Sequence, residues 1–335
     1  MSGSLKDAWY AVTTSETLKD TPLRRWLFGE PVVVYRDAGG SIAVLADNCP
    51  HRNAPLSLGM LVDGALQCTY HGFRFNGEGR CVHIPNMSGA PPEALSVRPY
   101  PAVERHGIVW VWPGEAAQAD PARLPGWRYG EDPAYRTIWT EFVIDAPVEM
   151  VIDNLMDLTH VHFVHAFGVN LPVHNSAPMK VRKDGDQVHY TRDVEGARFL
   201  SDTGEARANS TYMEIGGSFL PPALVSTFGL TKSVETRELA AGPQRIILHG
   251  LTPETPNRTR YIYMRSWNLY LSEEDVAAAV AEDVGALEED KGIIEATYRN
   301  KLDLGEAAQE RLVAIDEAAV RARRIYERLS AGAVA

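Results

Sequence analysis

The stretch CPHRNAPLSLGMLVDGALQCTYHG, residues 49–72, holds two of the chain's three cysteines, each followed closely by a histidine. Cys49-x-His51 and Cys68-x-x-His71 form two unequal clips in a chain otherwise almost free of cysteine. Three readings compete. Buried thiols and hydrogen-bonded histidines would need no metal at all. Structural zinc takes two Cys and two His in a tetrahedron, but its usual spacings pair the cysteines and group the histidines separately. Here each clip supplies one of each. That mixture suits a two-iron, two-sulfur cluster, one iron held by both thiolates and the other by both imidazoles. Gly72 and the Asn76-Gly77-Glu78-Gly79 turn let the backbone approach such a cluster closely.

Working outward, residues 1–115 read as β-rich. Val32–Tyr35 and Ile42–Ala46 flank a hairpin signal at Asp37-Ala38-Gly39-Gly40, and Ile108–Trp112 is an apolar run of strand length. Residues 116–135 collect proline, glycine, alanine and acids and read as a linker. Residues 136–335 read as an α+β domain. Helices are expected at Val148–Val164, at Ser272–Tyr298 and, with a cap, at Asp316–Leu329; polar strands lie between the first two. The 335 residues are 45% hydrophobic, enough for one large core or two moderate ones. A net charge of −11 opposes nucleic acid and anionic membranes as partners. No secretion signal and no membrane-spanning run is evident, and so few cysteines suit a reducing compartment. The expectation is a cytoplasmic protein.

A second constellation lies in DNLMDLTHVHFVH, residues 153–165. On one continuous helix, Asp153, Asp157 and His160 would share a face. His160 and His165 would point roughly 140° apart, so for both to reach one metal the helix must end or distort near Phe163. His162 points elsewhere and reads as structural. Two histidines and one carboxylate make the facial triad of non-haem iron(II) oxygenases. The carboxylate must come from elsewhere. Asp283 and Asp290 both flank the apolar stripe of the Ser272–Tyr298 helix, at least one of them needs a cation, and spacing does not choose between them.

Cys-x-His, sixteen intervening residues and Cys-x-x-His-Gly, set in CPHR and YHGFRF, resemble the Rieske motif. Neither clip carries the extra cysteine of respiratory Rieske proteins, so the likeness is to the ferredoxin and oxygenase branch. Cys81 is then left over and reads as a buried structural thiol. Asn154-x-x-Asp157-x-x-His160-x4-His165, followed downstream by Glu289-Asp290-Lys291-x3-Glu295-Ala296, resembles the catalytic domain of Rieske non-haem iron oxygenases. Among these the chain is most similar to the short vanillate O-demethylase-like and dicamba-monooxygenase-like oxygenase components.

The resemblance implies an N-terminal Rieske [2Fe-2S] domain, with its cluster loops at 47–86, followed by a helix-grip catalytic domain. Cys49, His51, Cys68 and His71 would hold the cluster. His160, His165 and Asp290 would hold a mononuclear Fe(II). Asp157 would bridge to a cluster histidine of the adjacent subunit in a homotrimer, and Asn154 would be a polar residue behind the iron ligands. His249 matches a substrate-contact position. A chain with no nicotinamide or flavin motif also implies an external reductase of flavin or ferredoxin type, fed by NAD(P)H.

The function expected is monooxygenation or O-demethylation of an aromatic substrate with dioxygen, the substrate carboxylated in one version. An aromatic-ring dihydroxylating dioxygenase is the alternative. A non-enzymatic Rieske electron carrier comes third, because the Asp157–His165 segment would have no purpose in it. Phe163, Phe167 and Trp267 are candidates for pocket walls. For the cluster, Cys81→Ser should leave the visible and EPR spectra intact, whereas Cys68→Ser should abolish them; loss in both variants would mean the wrong thiols were chosen.

Overall fold

A computed structural model of the chain describes residues 5–165, 178–195, 211–233, 239–268 and 272–332. The N-terminal part folds into three small antiparallel sheets. β1 (Tyr10–Thr14) pairs with β10 (Ile108–Val111), which pairs with β9 (Ala102–Arg105). β2 (Leu23–Leu27), β3 (Glu30–Arg36) and β4 (Ile42–Ala46) form the second sheet, and the expected hairpin is β3–β4. β5 (Met60–Val62), β6 (Ala65–Gln67), β7 (Arg74–Phe75) and β8 (Cys81–His83) form the third, which carries the second Cys–His clip. The tip of the β9–β10 hairpin needs a glycine. Gly107 has φ +72°, and a Cβ there would lie 2.6 Å from the Trp139 ring.

The C-terminal part is a seven-stranded antiparallel sheet. Its order is β11 (Arg136–Ile144), β17 (Arg258–Trp267), β16 (Leu239–Thr255), β15 (Leu224–Ser233), β14 (Thr211–Leu220), β13 (Gln187–Glu195) and β12 (Lys180–Asp184). Strand alternation divides its side chains between two cores. Ile246, Leu248, Ile262 and Met264 face Trp9, Trp110 and Trp112 of the N-terminal part. Ile247, Leu251, Tyr261 and Tyr263 join the core formed with the helices α1 (Val148–Leu155), α3 (Glu273–Leu304) and α4 (Glu317–Ala331). The expectation of an α+β protein with a β-rich first part and a sheet gripped by helices is met. Residues 116–135 are not a loose tether, since Leu124 and Trp127 are buried in the tryptophan-rich core. Among the described residues no helix is long and apolar enough to cross a membrane.

Three helix expectations need correction. The Val148–Val164 helix is broken: α1 stops at Leu155, and α2 (Val161–Val164) is a separate turn. The cause is Asp157, whose carboxylate accepts the Thr159 N–H at 2.6 Å and the Thr159 hydroxyl at 2.7 Å. These local bonds compete with the helical pattern. The Leu155 carbonyl is satisfied instead by the Tyr190 hydroxyl at 2.8 Å. The helical path is thus interrupted twice, once before His160 and again beside Phe163, where α2 ends at Val164 and His165 is extended. Helix α3 begins as expected, with Ser272 and Asp275 in a reciprocal capping box, but runs on past Tyr298 to Leu304. Asp316 does not cap α4, because its carboxylate takes the Val313 N–H at 2.7 Å instead.

A buried ionic network ties the two parts together. Arg25 of β2 donates to Glu141 of β11 at 2.5 Å, and the other oxygen of Glu141 accepts from the Thr13 hydroxyl and the Thr14 N–H at 2.9 Å each. Arg260 lies 3.6 Å from Glu141 and donates to Glu254 at 2.7 Å. Burial brings Arg25 down to about 10, with the neighbouring Arg260 charge adding to the shift against the attraction of Glu141. Removing Glu141 leaves two arginines facing each other in a buried space. Glu141→Ala should cost roughly 3–5 kcal/mol of stability in urea denaturation; a loss below about 1 kcal/mol would mean that the network carries no weight.

Candidate functional site

The two clips share one backbone pattern despite their unequal spacing. The Cys49 N–H donates to Ala54 O at 2.9 Å and the Asn53 N–H to Cys49 O at 2.8 Å; Cys68 and Phe73, and Gly72 and Cys68, repeat these bonds at 2.8 and 3.0 Å. In each clip the fourth residue after the cysteine has positive φ, Asn53 at 59° and Gly72 at 72°. Both thiols are buried against Leu56, Leu66, Phe73 and Phe75, whereas His51 and His71 are exposed with ring centroids 4.5 Å apart. Burial pushes the Cys49 thiol up to about 11, with the adjacent Cys68 sulfur adding to it. Such a thiol ionises readily only when a metal compensates its charge. Sulfur inside and nitrogen outside is the donor set a [2Fe-2S] cluster with two unlike irons requires. Cys81 is half-buried rather than buried, with its sulfur 3.6 Å from His83 O.

The second centre is built at the helix break. His160 and His165 flank α2, and Asp290 reaches them from α3. Their ligand atoms all lie within 4.8 Å of one another. Asp290 Oδ1 stands 3.4 Å from His160 Nε2 and 3.6 Å from His165 Nε2, and it accepts from Asn154 Nδ2 at 3.1 Å. Behind each imidazole is a carboxylate: Asp157 lies 3.4 Å from His160 Nδ1, and Glu289 lies 3.1 Å from His165 Nδ1. Carboxylates in that position fix the tautomer and turn Nε2 toward a metal. Burial alone would depress His160, but hydrogen bonding to Asp157 and the charge of Asp290 outweigh it and hold the ring above its ordinary value. Burial likewise works to raise Asp157, yet bonds from His160 and Thr159 leave it below the usual carboxylate range. The surplus of negative charge that favours a proton on His160 also favours a divalent cation in its place. The donor set fits a non-haem iron.

Other expected residues fall elsewhere. Asp283 pairs with Arg265 at 2.5 Å, and Asp153 pairs with Arg323 on α4, so neither is free to serve His160 and His165. Both nitrogens of His249 are engaged, Nδ1 with the Tyr261 hydroxyl at 2.5 Å and Nε2 with Thr227 Oγ1 at 2.8 Å. Burial, helped by the Arg245 charge, drops His249 to about 3, so the ring is neutral. Phe163 is 80% exposed, Trp267 is buried beside Arg265, and Phe167 lies outside the described residues. Glu289 was missed in the sequence, although it adjoins Asp290.

Comparison with known proteins matches residues 8–101 to the Rieske [2Fe-2S] domain and residues 144–332 to the vanillate O-demethylase oxygenase C-terminal domain. The chain is 33% identical to the oxygenase component of dicamba O-demethylase from Stenotrophomonas maltophilia, over 97% of each chain. It is 34% identical to a vanillate O-demethylase oxygenase subunit from Pseudomonas sp. (strain ATCC 19151), over 90% of this chain and 94% of that one. A crystal structure of dicamba monooxygenase with non-heme iron and dicamba superposes with a TM-score of 0.81 at 30% identity, covering 98% of this chain and 97% of the other.

Asp290→Ala should lose the iron outside the cluster while the cluster spectrum survives. Asp283→Asn should keep that iron but lower stability by roughly 3–5 kcal/mol, because Arg265 is left buried without its counter-ion. Iron content after desalting, measured beside a urea titration, separates the two; iron lost from Asp283→Asn and kept by Asp290→Ala would reverse the assignment.

Proposed function

The chain belongs to the Rieske non-haem iron oxygenases, in the group of the vanillate and dicamba O-demethylase oxygenase components, and on that basis we propose that it O-demethylates an aromatic methyl ether with dioxygen. The observation that carries the reading is the approach of two imidazole Nε2 atoms to one Asp290 oxygen, each imidazole backed by a carboxylate. Cys49, His51, Cys68 and His71 would hold the cluster, and His160, His165 and Asp290 the iron. The metals would supply one-electron transfer and dioxygen activation beside a methyl C–H bond.

The chain's own residues do the positioning. Asp157 and Glu289 orient the two imidazoles, and Asn154 holds the Asp290 carboxylate in place by its hydrogen bond. A hydroxylated methyl ether is a hemiacetal and collapses to a phenol and formaldehyde. In this reading residues 1–115 form the cluster domain, 116–135 the connection and 136–335 the catalytic domain.

The electrons come from a separate reductase of flavin or ferredoxin type, in the cytoplasm. His71 is exposed, so it is available to meet Asp157 of a second subunit. A head-to-tail ring, here a homotrimer, closes such a heterologous contact.

The test is turnover of methoxybenzoates with a surrogate reductase and isotopic dioxygen. Formaldehyde should form with the phenol oxygen unlabelled, and a cis-diol carrying both labelled atoms would establish the dioxygenase instead. Asp157→Asn should keep both metal centres and the oligomer yet turn over at least tenfold more slowly, with cluster reoxidation as the stalled step. A fully active Asp157→Asn protein, or a wild-type protein active as a dilute monomer, would rule out the bridge.

A further inference from the structure

The two cluster loops are closed in different ways. The second lies at the end of a hairpin, so the pairing of β6 with β7 closes it, Gln67 against Arg74. The first leaves β4 at Ala46 and enters β5 at Met60, and these strands belong to different sheets, so no strand pairing joins its ends. A side chain joins them instead. Asp47 Oδ1 accepts the Ser57 N–H at 2.7 Å, and Oδ2 accepts the Ser57 hydroxyl at 2.7 Å. Arg24 Nε of β2 stands 3.2 Å from Oδ2, and the Asp47 N–H donates to the Pro31 carbonyl at 2.9 Å.

The Asp47 side chain has no exposed surface, whereas those of Asp63 and Glu78, the other acids of residues 47–86, are 87% and 70% exposed. Water and salt screen an exposed charge strongly and a buried one much less. Asp47 is also two residues from Cys49, which puts their Cα atoms at most about 7 Å apart. Of the carboxylates in these loops, it is the one whose charge reaches the cluster ligands with least screening. Arg24 opposes it, but that guanidinium is 44% exposed and its charge is partly dissipated in water.

We infer that Asp47 is a positioning residue of the electron-transfer centre: it clasps the first cluster loop shut through Ser57, and together with Arg24 it sets the reduction potential of the cluster. Two imidazoles in place of two thiolates raise that potential. Taking up an electron adds negative charge, which a nearby carboxylate opposes and a guanidinium favours. Asp47 therefore holds the potential down and keeps the cluster reducing enough to pass its electron on, while Arg24 limits the effect. The inference rests on Cys49, His51, Cys68 and His71 holding the cluster, as proposed above, and not on the substrate.

The experiment is a potentiometric titration of the purified holoprotein, followed by the visible and EPR spectra of the cluster. Asp47→Asn should raise the potential by the equivalent of about tenfold in the reduction equilibrium, about 59 mV for one electron. Arg24→Gln should lower it by a smaller amount, because that charge is the more exposed. Ser57→Ala changes no charge, so it should leave the potential near the wild-type value while hastening loss of the cluster to a chelator. Shifts of opposite sign from the two charged residues are a signature that mere loosening of the loop does not give. The inference is overturned by an unmoved or raised potential in Arg24→Gln, by an Asp47→Asn protein that keeps its cluster at the wild-type potential, or by a Ser57→Ala shift as large as that of Asp47→Asn. Cluster loss no faster than wild type in Ser57→Ala overturns the clasp. Should Asp47→Asn hold no cluster, the sign of the Arg24→Gln shift decides. A wild-type protein without a Rieske spectrum sinks the ligand assignment itself, whereas a normal wild-type spectrum with unshifted variants sinks only the role of Asp47 and Arg24.

Discussion

One oxygen atom organises the catalytic half of this protein. Asp290 Oδ1 is approached by two imidazole nitrogens and by the Asn154 amide, and each imidazole has a carboxylate at its back. So much negative charge close to two histidines is stable only with a cation among them. Several features of the fold serve that arrangement. Asp157 ends the first helix ahead of His160, the extended backbone at His165 after α2 brings its ring beside that of His160, Tyr190 caps the broken end of the first helix, and Arg323 takes up Asp153, which would otherwise add a further charge nearby. On α3 the buried Asp283 and the half-buried Asp290 have opposite roles. Asp283 is neutralised by Arg265, and Asp290, seven residues on, faces the histidines.

The cluster end obeys a simpler rule. Its proposed ligands come from two loops with the same hydrogen bonds, thiols inward and imidazoles outward, so the loops themselves would determine which side of a cluster meets solvent. The two ends are held in register by a common sheet. One face of β16 and β17 packs on the tryptophans of the N-terminal part, the other on helices α1, α3 and α4, of which α3 carries Asp290. Glu141 sits at the join, binding Arg25 on one side and lying beside Arg260 on the other.

What could be read from the sequence follows the range of each interaction. The clips were legible because metal ligation within a loop is local, and the pairing of one cysteine with one histidine in each clip favoured an iron–sulfur cluster over zinc. The β3–β4 hairpin and the start of α3 at Ser272 were legible for the same reason. The helix through Val164 was misread because periodicity says nothing of Asp157 bonding to Thr159 and so terminating the helix. Asp283 and Asp290 could not be separated, since the choice depends on Arg265, a residue on a strand that contacts α3 only in the fold. His249 looked available to a substrate, but Tyr261 and Thr227 occupy both its nitrogens, and neither is near it in sequence. Glu289 was passed over because an acid beside an acid on a charged helix reads as surface.

The central claim is that one chain holds two kinds of iron in two separate ligand sets, a cluster with unlike irons and a mononuclear ferrous ion. Mössbauer spectroscopy of protein grown on iron-57 tests it most directly. The account predicts two inequivalent cluster irons in equal amounts, one in sulfur and one in mixed sulfur and nitrogen surroundings, plus a separate high-spin ferrous doublet of similar area. Equivalent cluster irons, or no ferrous signal beyond the cluster in fully loaded protein, would contradict it.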